Sequence, residues 1–236
     1  MRVLVTTREG AVRDRARATN QLKAMIVSAP DELRDKVRDH KGPALIDRCA
    51  RLRGDSSRAE DCNATVAGLA RLAKRVQSLN REIRDHDRDI KKLTEQHCPQ
   101  LLAEFGVGPI FAAQTYIAWS HAGRCGDEAA FANLAGTAPI AASSGKTVRY
   151  RLNRGGDRQL NRALHTVVLS RARGNETTKL YIKQRITDGK TERGARRCLK
   201  RYIGRHFYRL LEHPPTTEPT PDGTTTDSSE SPPRTS

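Results

Sequence analysis

The chain has 236 residues, with 43 Lys and Arg against 27 Asp and Glu, a formal net charge of +16 and a pI near 10.2. That length allows one or two compact domains. The charge excludes an acidic scaffold and points to a polyanionic partner, because each neutralised phosphate releases a condensed counterion.

An anionic membrane surface would also fit the charge. However, the sequence has no run of about 18 apolar residues and no basic start leading into an apolar segment. The expectation is a cytoplasmic chain with no membrane partner. Five cysteines (Cys49, Cys62, Cys98, Cys125 and Cys198) form no CxxC pair and are odd in number. They read as reduced thiols rather than a disulfide framework or zinc ribbon, and His97 beside Cys98 is a weak metal signal. Aromatics make up 4% of the chain. Phosphate-backbone contact is therefore expected over base stacking.

In chain order, residues 1–58 form a basic helical linker region. A helix runs from Met1 to about Ser28, with Val3, Leu4, Ala11, Val12, Leu22, Met25 and Ile26 able to share a face. Pro30 ends it, a second helix spans Asp31–Asp39, and a short helical piece covers residues 44–53. In residues 59–98, Cys62, Leu69, Val76, Ile83 and Ile90 repeat every seven residues, interleaved with Thr65, Leu72, Leu79, His86 and Leu93. Alternating steps of three and four mark a coiled-coil seam. The seam reads either as a homo-oligomer contact through residues 62–93 or as a long amphipathic helix packed within its own chain. His86 interrupts it, either setting register or standing as a tolerated imperfection.

Pro99 stops the long helix and opens a compact domain over residues 99–212. Gly106-Val107-Gly108-Pro109 precedes a helix. Two glycines permit a tight turn whose following helix start offers free N–H groups to a phosphate, as in a helix-hairpin-helix module. A plain helix–helix turn fits equally. Asp127 reads as an N-cap and Gly136 as the stop of a short helix. Next comes the loop Ala141-Ala142-Ser143-Ser144-Gly145-Lys146, surrounded by Lys146, Arg149, Arg151, Arg154 and Arg158. A serine in a cationic loop can attack a phosphodiester while its neighbours stabilise the developing charge. Ser-Ser-Gly is also ordinary loop chemistry, and no GxSxG elbow or nearby histidine supports a hydrolase triad.

Asn153-Arg154-Gly155-Gly156-Asp157 opens the next helix, with Asp157 as its N-cap, Leu160, Ala163, Leu164, Val167 and Val168 as its core face and Arg162 outside. Arg193, Arg197, Arg201, Arg205 and Arg209 then recur every four residues, opposite Cys198, Leu199, Tyr202, Ile203 and Leu210. Such steps wind slowly around a helix and give either a ridge suited to a phosphate backbone or a solvated face. Residues 213–236 hold six of the eleven prolines and a net −3, leaving +19 on residues 1–212, and their composition predicts disorder.

Taken in order, these motifs resemble the insertion-sequence transposases of the IS-one-ten type. The matching text includes Gly106-Val107-Gly108-Pro109, Phe131-Ala132, Ala138-Pro139, Ser143-Ser144-Gly145-Lys146, Asn153 to Leu164, and Arg197-Cys198-Leu199-Lys200-Arg201-Tyr202-Ile203. The resemblance implies a C-terminal serine domain that follows a RuvC-like nuclease domain and a coiled coil. It places the nucleophile at Ser144, with Ser143 as fallback, forming a covalent serine–DNA intermediate. DNA would be the substrate and a structured guide RNA a further partner. Backbone contacts are assigned to Gly106, Gly108, Lys146, Arg149, Arg151, Arg154, Arg158, Arg162, Arg197, Arg201 and Arg205. No cofactor is expected within this chain, and Mg2+ is expected only with the acidic nuclease domain. Nothing before residue 30 offers a strand with metal-binding acids, since Glu9 and Asp14 sit in a basic helix as ion-pair partners. The expectation is therefore a truncated or split transposase, inactive in autonomous transposition. Its alternative role is a DNA- or RNA-binding and dimerisation module. The expected fold is mainly α: a long coiled-coil helix hairpin, then a compact helical domain with a helix-hairpin-helix-like element, then a disordered tail.

Overall fold

The computed structural model describes residues 1–55, 59–142, 150, 151 and 153–214. The expected tail, from residue 215 on, lies outside the described residues. The fold is mainly α, as the periodicities require.

Helix α1 (Arg2–Val27) runs antiparallel to α4 (Glu60–His97), the longest element. Arg8 Nε donates to Asp87 Oδ1 at 2.5 Å, Arg15 Nη1 to Asn80 Oδ1 at 3.4 Å, and Met25 meets Gly68. Residue numbers rising on one helix therefore meet numbers falling on the other. Along this hairpin Val5 packs with Ile90, while Ala18 and Leu22 pack with Leu69, Ala73 and Val76. Each fully buried Leu, Ile or Val contributes about 1.5–3 kcal/mol. The heptad seam is thus filled from the same chain: Leu69, Val76, Ile83 and Ile90 are buried. The interleaved positions Leu72, Leu79 and Leu93 are half-buried. His86 is also half-buried and lies 3.7 Å from Glu82 one turn away.

Of the face that periodicity picks out on α1, Ala11 and Leu22 are buried and Leu4, Val12, Met25 and Ile26 half-buried; the exception is at its start. Val3 is 72% exposed, and Val5, one residue short of the next turn, turns in. Helix α2 (Asp31–Asp35) is shorter than the expected Asp31–Asp39, and Leu33 tucks under Val66. Helix α3 (Gly42–Ala50) begins earlier than residue 44, because Pro43 suits a first helical turn, where its missing N–H costs nothing. Ile46 and Cys49 pack it against α4.

Helix α4 stops before Pro99, which starts the one-turn α5 (Pro99–Leu102). Helix α6 (Pro109–Trp119) packs into both cores: Ala113 joins Val5 and Ile90, while Ala112, Ala118 and Trp119 enter the second core. It is the element that fastens the hairpin to the rest. The second core is completed by α7 (Glu128–Leu134), α8 (Arg158–Gly174), α9 (Glu176–Thr187) and α10 (Glu192–Glu212). Phe131, Leu160, Leu164, Ile203 and Phe207 are among its fully buried side chains. Within α10, Leu199 and Ile203 are buried as expected, but Tyr202 is 58% exposed.

A charged tie joins this core to the turn after α5. Glu104 Oε2 accepts from Arg171 Nη2 at 2.5 Å, and its Oε1 lies 2.8 Å from His206 Nε2. Burial pushes the Glu104 carboxyl up, but the hydrogen bonds and charges of His206 and Arg171 outweigh it and hold it below its ordinary value of 4.5. A carboxyl whose folded value is lowered stabilises the fold above its unfolded value, and that stability is lost as pH falls through the lowered one. Glu104→Ala is expected to cost about 1–2 kcal/mol near neutrality, at the low end for a charged hydrogen bond because part of the side chain remains in water. The difference from the parent should vanish in acid. Urea unfolding of both proteins across a pH series measures it.

All five cysteines are free; Cys49, Cys98 and Cys125 are buried, and burial pushes the Cys98 thiol up to about 11. These are packing residues. No helix among the described residues is long and apolar enough to cross a membrane.

Candidate nucleic-acid interface

The cationic residues gather where the chain between α7 and α8 folds back on itself. Asp127 caps α7, accepting from Ala130 N at 2.6 Å, and Gly136 ends it at φ +63°, the left-handed conformation glycine adopts without a Cβ penalty. Strand β1 (Ile140–Ala141) then leaves and β2 (Tyr150–Arg151) returns antiparallel, Ile140 opposite Arg151 and Ala141 opposite Tyr150. The serine loop joins these two strands. Ser143, Ser144, Lys146 and Arg149 lie outside the described residues, but both ends of their loop are fixed by the pairing.

After β2 the chain is pinned to the end of α7. Asp157 N donates to Leu134 O at 2.6 Å, Asn161 Nδ2 to Ala135 O at 2.6 Å, and Asn153 Nδ2 to Asn133 O at 3.2 Å. These bonds bring Gly156 against Gly136 so closely that only glycine fits there. Asp157 Oδ1 also caps α8, accepting from Gln159 N at 2.8 Å and Leu160 N at 2.9 Å. One aspartate thus uses its backbone to dock the loop and its side chain to start the helix.

The fold-back leaves a cleft of about 460 Å3 lined by Arg154, Arg158, Asn161, Arg162 and His165, floored by Gly136 and Gly156. From α10, Lys200 Nζ donates to Asn161 Oδ1 at 2.9 Å. Burial lowers the Lys200 ammonium, and Arg197 lowers it further. His165 is lowered by burial and then by the charges of Lys200 and Arg196. The cations of α10 that add to this lowering leave positive potential at the cleft, which an anion would relieve.

The assigned backbone contacts divide into groups. Arg154, Arg158 and Arg162 converge on the cleft, and Arg151 stands exposed on β2. Arg197 is exposed on α10, and Arg201 is half-buried. Arg205 and Arg209 are both held by Glu128 of α7, so that part of the arginine ridge serves the fold. Gly106, at φ +80°, packs against Ser170 on α8, whereas Gly108 opens into a neighbouring cleft. Sequence reasoning missed His165, Lys200 and Asn161. The signal for Asn161 was its place one turn beyond the Asp157 cap, on the side facing α7.

Among the described residues, no group of three or more His, Cys, Asp or Glu could hold a metal ion. Glu9 and Asp14 are ion-paired with Arg162 and Arg17, as their setting in a basic helix suggests.

Residues 98–183, which include the fold-back, match the model of the Transposase IS116/IS110/IS902 family. The chain is also 32% identical over 168 residues to the Insertion element IS900 uncharacterized 42 kDa protein of Mycobacterium paratuberculosis. That match takes in 65% of this chain and 40% of the relative, so the chain spans well under half of the relative's length. By this region the chain is related to the IS116/IS110/IS902 transposases.

Proposed function

We propose that this chain is the DNA-holding part of a transposase, and that Ser144 attacks a phosphodiester when an acidic, magnesium-binding nuclease domain is supplied. The observation that supports this is the convergence of Arg154, Arg158, Arg162 and His165 on the fold-back cleft, with Lys200 bonded to Asn161 in its lining, in the segment that follows the strand pair flanking the serine loop. In the step, Ser144 Oγ bonds to phosphorus as the phosphorus–sugar oxygen bond breaks. The serine proton leaves to a base, and the released sugar oxygen takes up a proton. One phosphodiester is exchanged for another, so no external energy source is needed. The cationic cleft would stabilise charge on the non-bridging oxygens. Metal ions on the separate domain would supply the remainder.

The test is incubation of DNA carrying an element end with magnesium and this protein, with and without the nuclease domain. A covalent adduct that forms only with that domain, survives in Ser143→Ala and disappears in Ser144→Ala is the expected result. No adduct in any combination would leave the second reading, a non-catalytic module that binds DNA or a structured guide RNA. Dimerisation through α4 is part of that second reading. With α1 covering the buried seam, it would have to use the half-buried Leu72, Leu79 and Leu93 edge. A monomer in sedimentation at micromolar concentration would overturn it.

A further inference from the structure

We infer that Glu9 occupies a phosphate-binding cradle between α1, α6 and α8, and that a nucleic-acid phosphodiester displaces it on binding. The inference rests on the nucleic-acid reading above. Glu9 Oε1 accepts from Gln114 Nε2 of α6 at 3.1 Å and from Arg162 Nη2 of α8, and its Oε2 accepts from Gln159 Nε2 at 3.2 Å. Three donors from two helices therefore converge on one carboxylate. It lies at the edge of a cleft of about 420 Å3 that is also lined by Arg8, Arg13 and the Gly108–Pro109 start of α6. Arg8 is engaged by Asp87, whereas Arg13 is exposed beside the opening.

The donor set suits an anion with more oxygens than a carboxylate has. A planar carboxylate offers two oxygens and one charge shared between them. A phosphodiester spreads the same single charge over two non-bridging oxygens in a tetrahedral setting and adds two ester oxygens, and Arg can meet the charged pair as a fork. The start of α6 adds the positive end of a helix facing the same cleft. A second observation shows that the closed arrangement is incomplete. Gln114 is 4% exposed, and its Oε1 is buried without a hydrogen-bond partner. Glu9 meets only the donor half of that buried amide, and an acceptor-only phosphodiester in its place would keep the same single bond. Arg162 also lines the neighbouring fold-back cleft. Freeing it from Glu9 would deliver a cation to that cleft, so one displacement would serve both clefts.

The experiment compares duplex DNA binding by the full chain and its variants at about 0.15 M salt, where the Debye length of ~8 Å screens distant charges. Glu9→Gln removes the competing anion and is expected to tighten binding about tenfold, as expected for a partly buried charge beside a phosphate. Asp14→Asn, which removes an equal charge from the exposed Arg17 pair on the same helix, should change it less than about twofold. In an Arg162→Ala background the Glu9→Gln gain should disappear, since the freed donor is then missing. Glu9→Asp keeps the charge but withdraws the carboxylate, and is expected to tighten binding about threefold. That variant also serves if Glu9→Gln fails to fold. Equal effects of Glu9→Gln and Asp14→Asn, or a gain that survives Arg162→Ala, would overturn the cradle while leaving nucleic-acid binding intact. Absence of salt-dependent binding in every variant would overturn both.

Discussion

Gly156→Ala is expected to lower the melting temperature by about 6–12 °C, the shift that a loss of about 3 kcal/mol produces in a chain of this size. A Cβ at position 156 would stand 2.6 Å from Gly136 Cα and 2.7 Å from Leu134 O, and closer still to the Gly136 amide nitrogen. All three are backbone atoms, and none can rotate away as a side-chain tip would. The neighbours that would have to move are the ones that receive Asp157 N and Asn161 Nδ2. Relief of the clash therefore requires undocking the fold-back, which also separates Arg154 from Arg158 and His165. DNA binding should weaken with the same substitution at temperatures where the helices persist. Gly155→Ala is the control: its Cβ would meet only the Asn153 side-chain oxygen, at 3.5 Å, and its cost should stay within about 0.5 kcal/mol. Matching melting curves for the two variants would refute the close approach.

The two neighbouring glycines show what the sequence conveys and what it withholds. Asn-Arg-Gly-Gly-Asp before an apolar-periodic run reads correctly as a capped helix start, because a cap is a bond between residues two and three apart. Nothing local distinguishes Gly155 from Gly156, since the atom that excludes a Cβ belongs to Gly136, twenty residues away. The same division holds elsewhere. The heptad in α4 was legible as a buried stripe. Which chain fills it depends on the length and phase of α1, and periodicity alone put Val3 inward in place of Val5. The arginines at steps of four were legible as a ridge. That the ridge winds until Arg205 and Arg209 face Glu128 depends on where α7 packs. His165 gave no signal at all, because its setting comes from burial in the packed domain and from Lys200 and Arg196 on another helix.

Phe131→Ala is expected to cost about 3–5 kcal/mol, the range for emptying a buried phenylalanine site. Phe131 is fully buried on α7, with its ring 5.7 Å from that of Tyr208 on α10, and Tyr208 in turn donates its hydroxyl to Cys125 O at 2.8 Å. Helix α7 has only seven residues, too few to persist without packing. Its last turn supplies the carbonyls of Asn133, Leu134 and Ala135 that hold the fold-back, so the ring anchors the cleft from behind. Leu22→Ala, in the separate α1/α4 core, gives a comparable cavity with no contact to α7. Both variants should unfold more easily in urea. Only Phe131→Ala should accelerate hydrogen exchange at the Asp157 amide, which donates to Leu134 O. Equal acceleration in the two would mean that α7 opens only with the whole molecule, and that the cleft has no local anchor in Phe131.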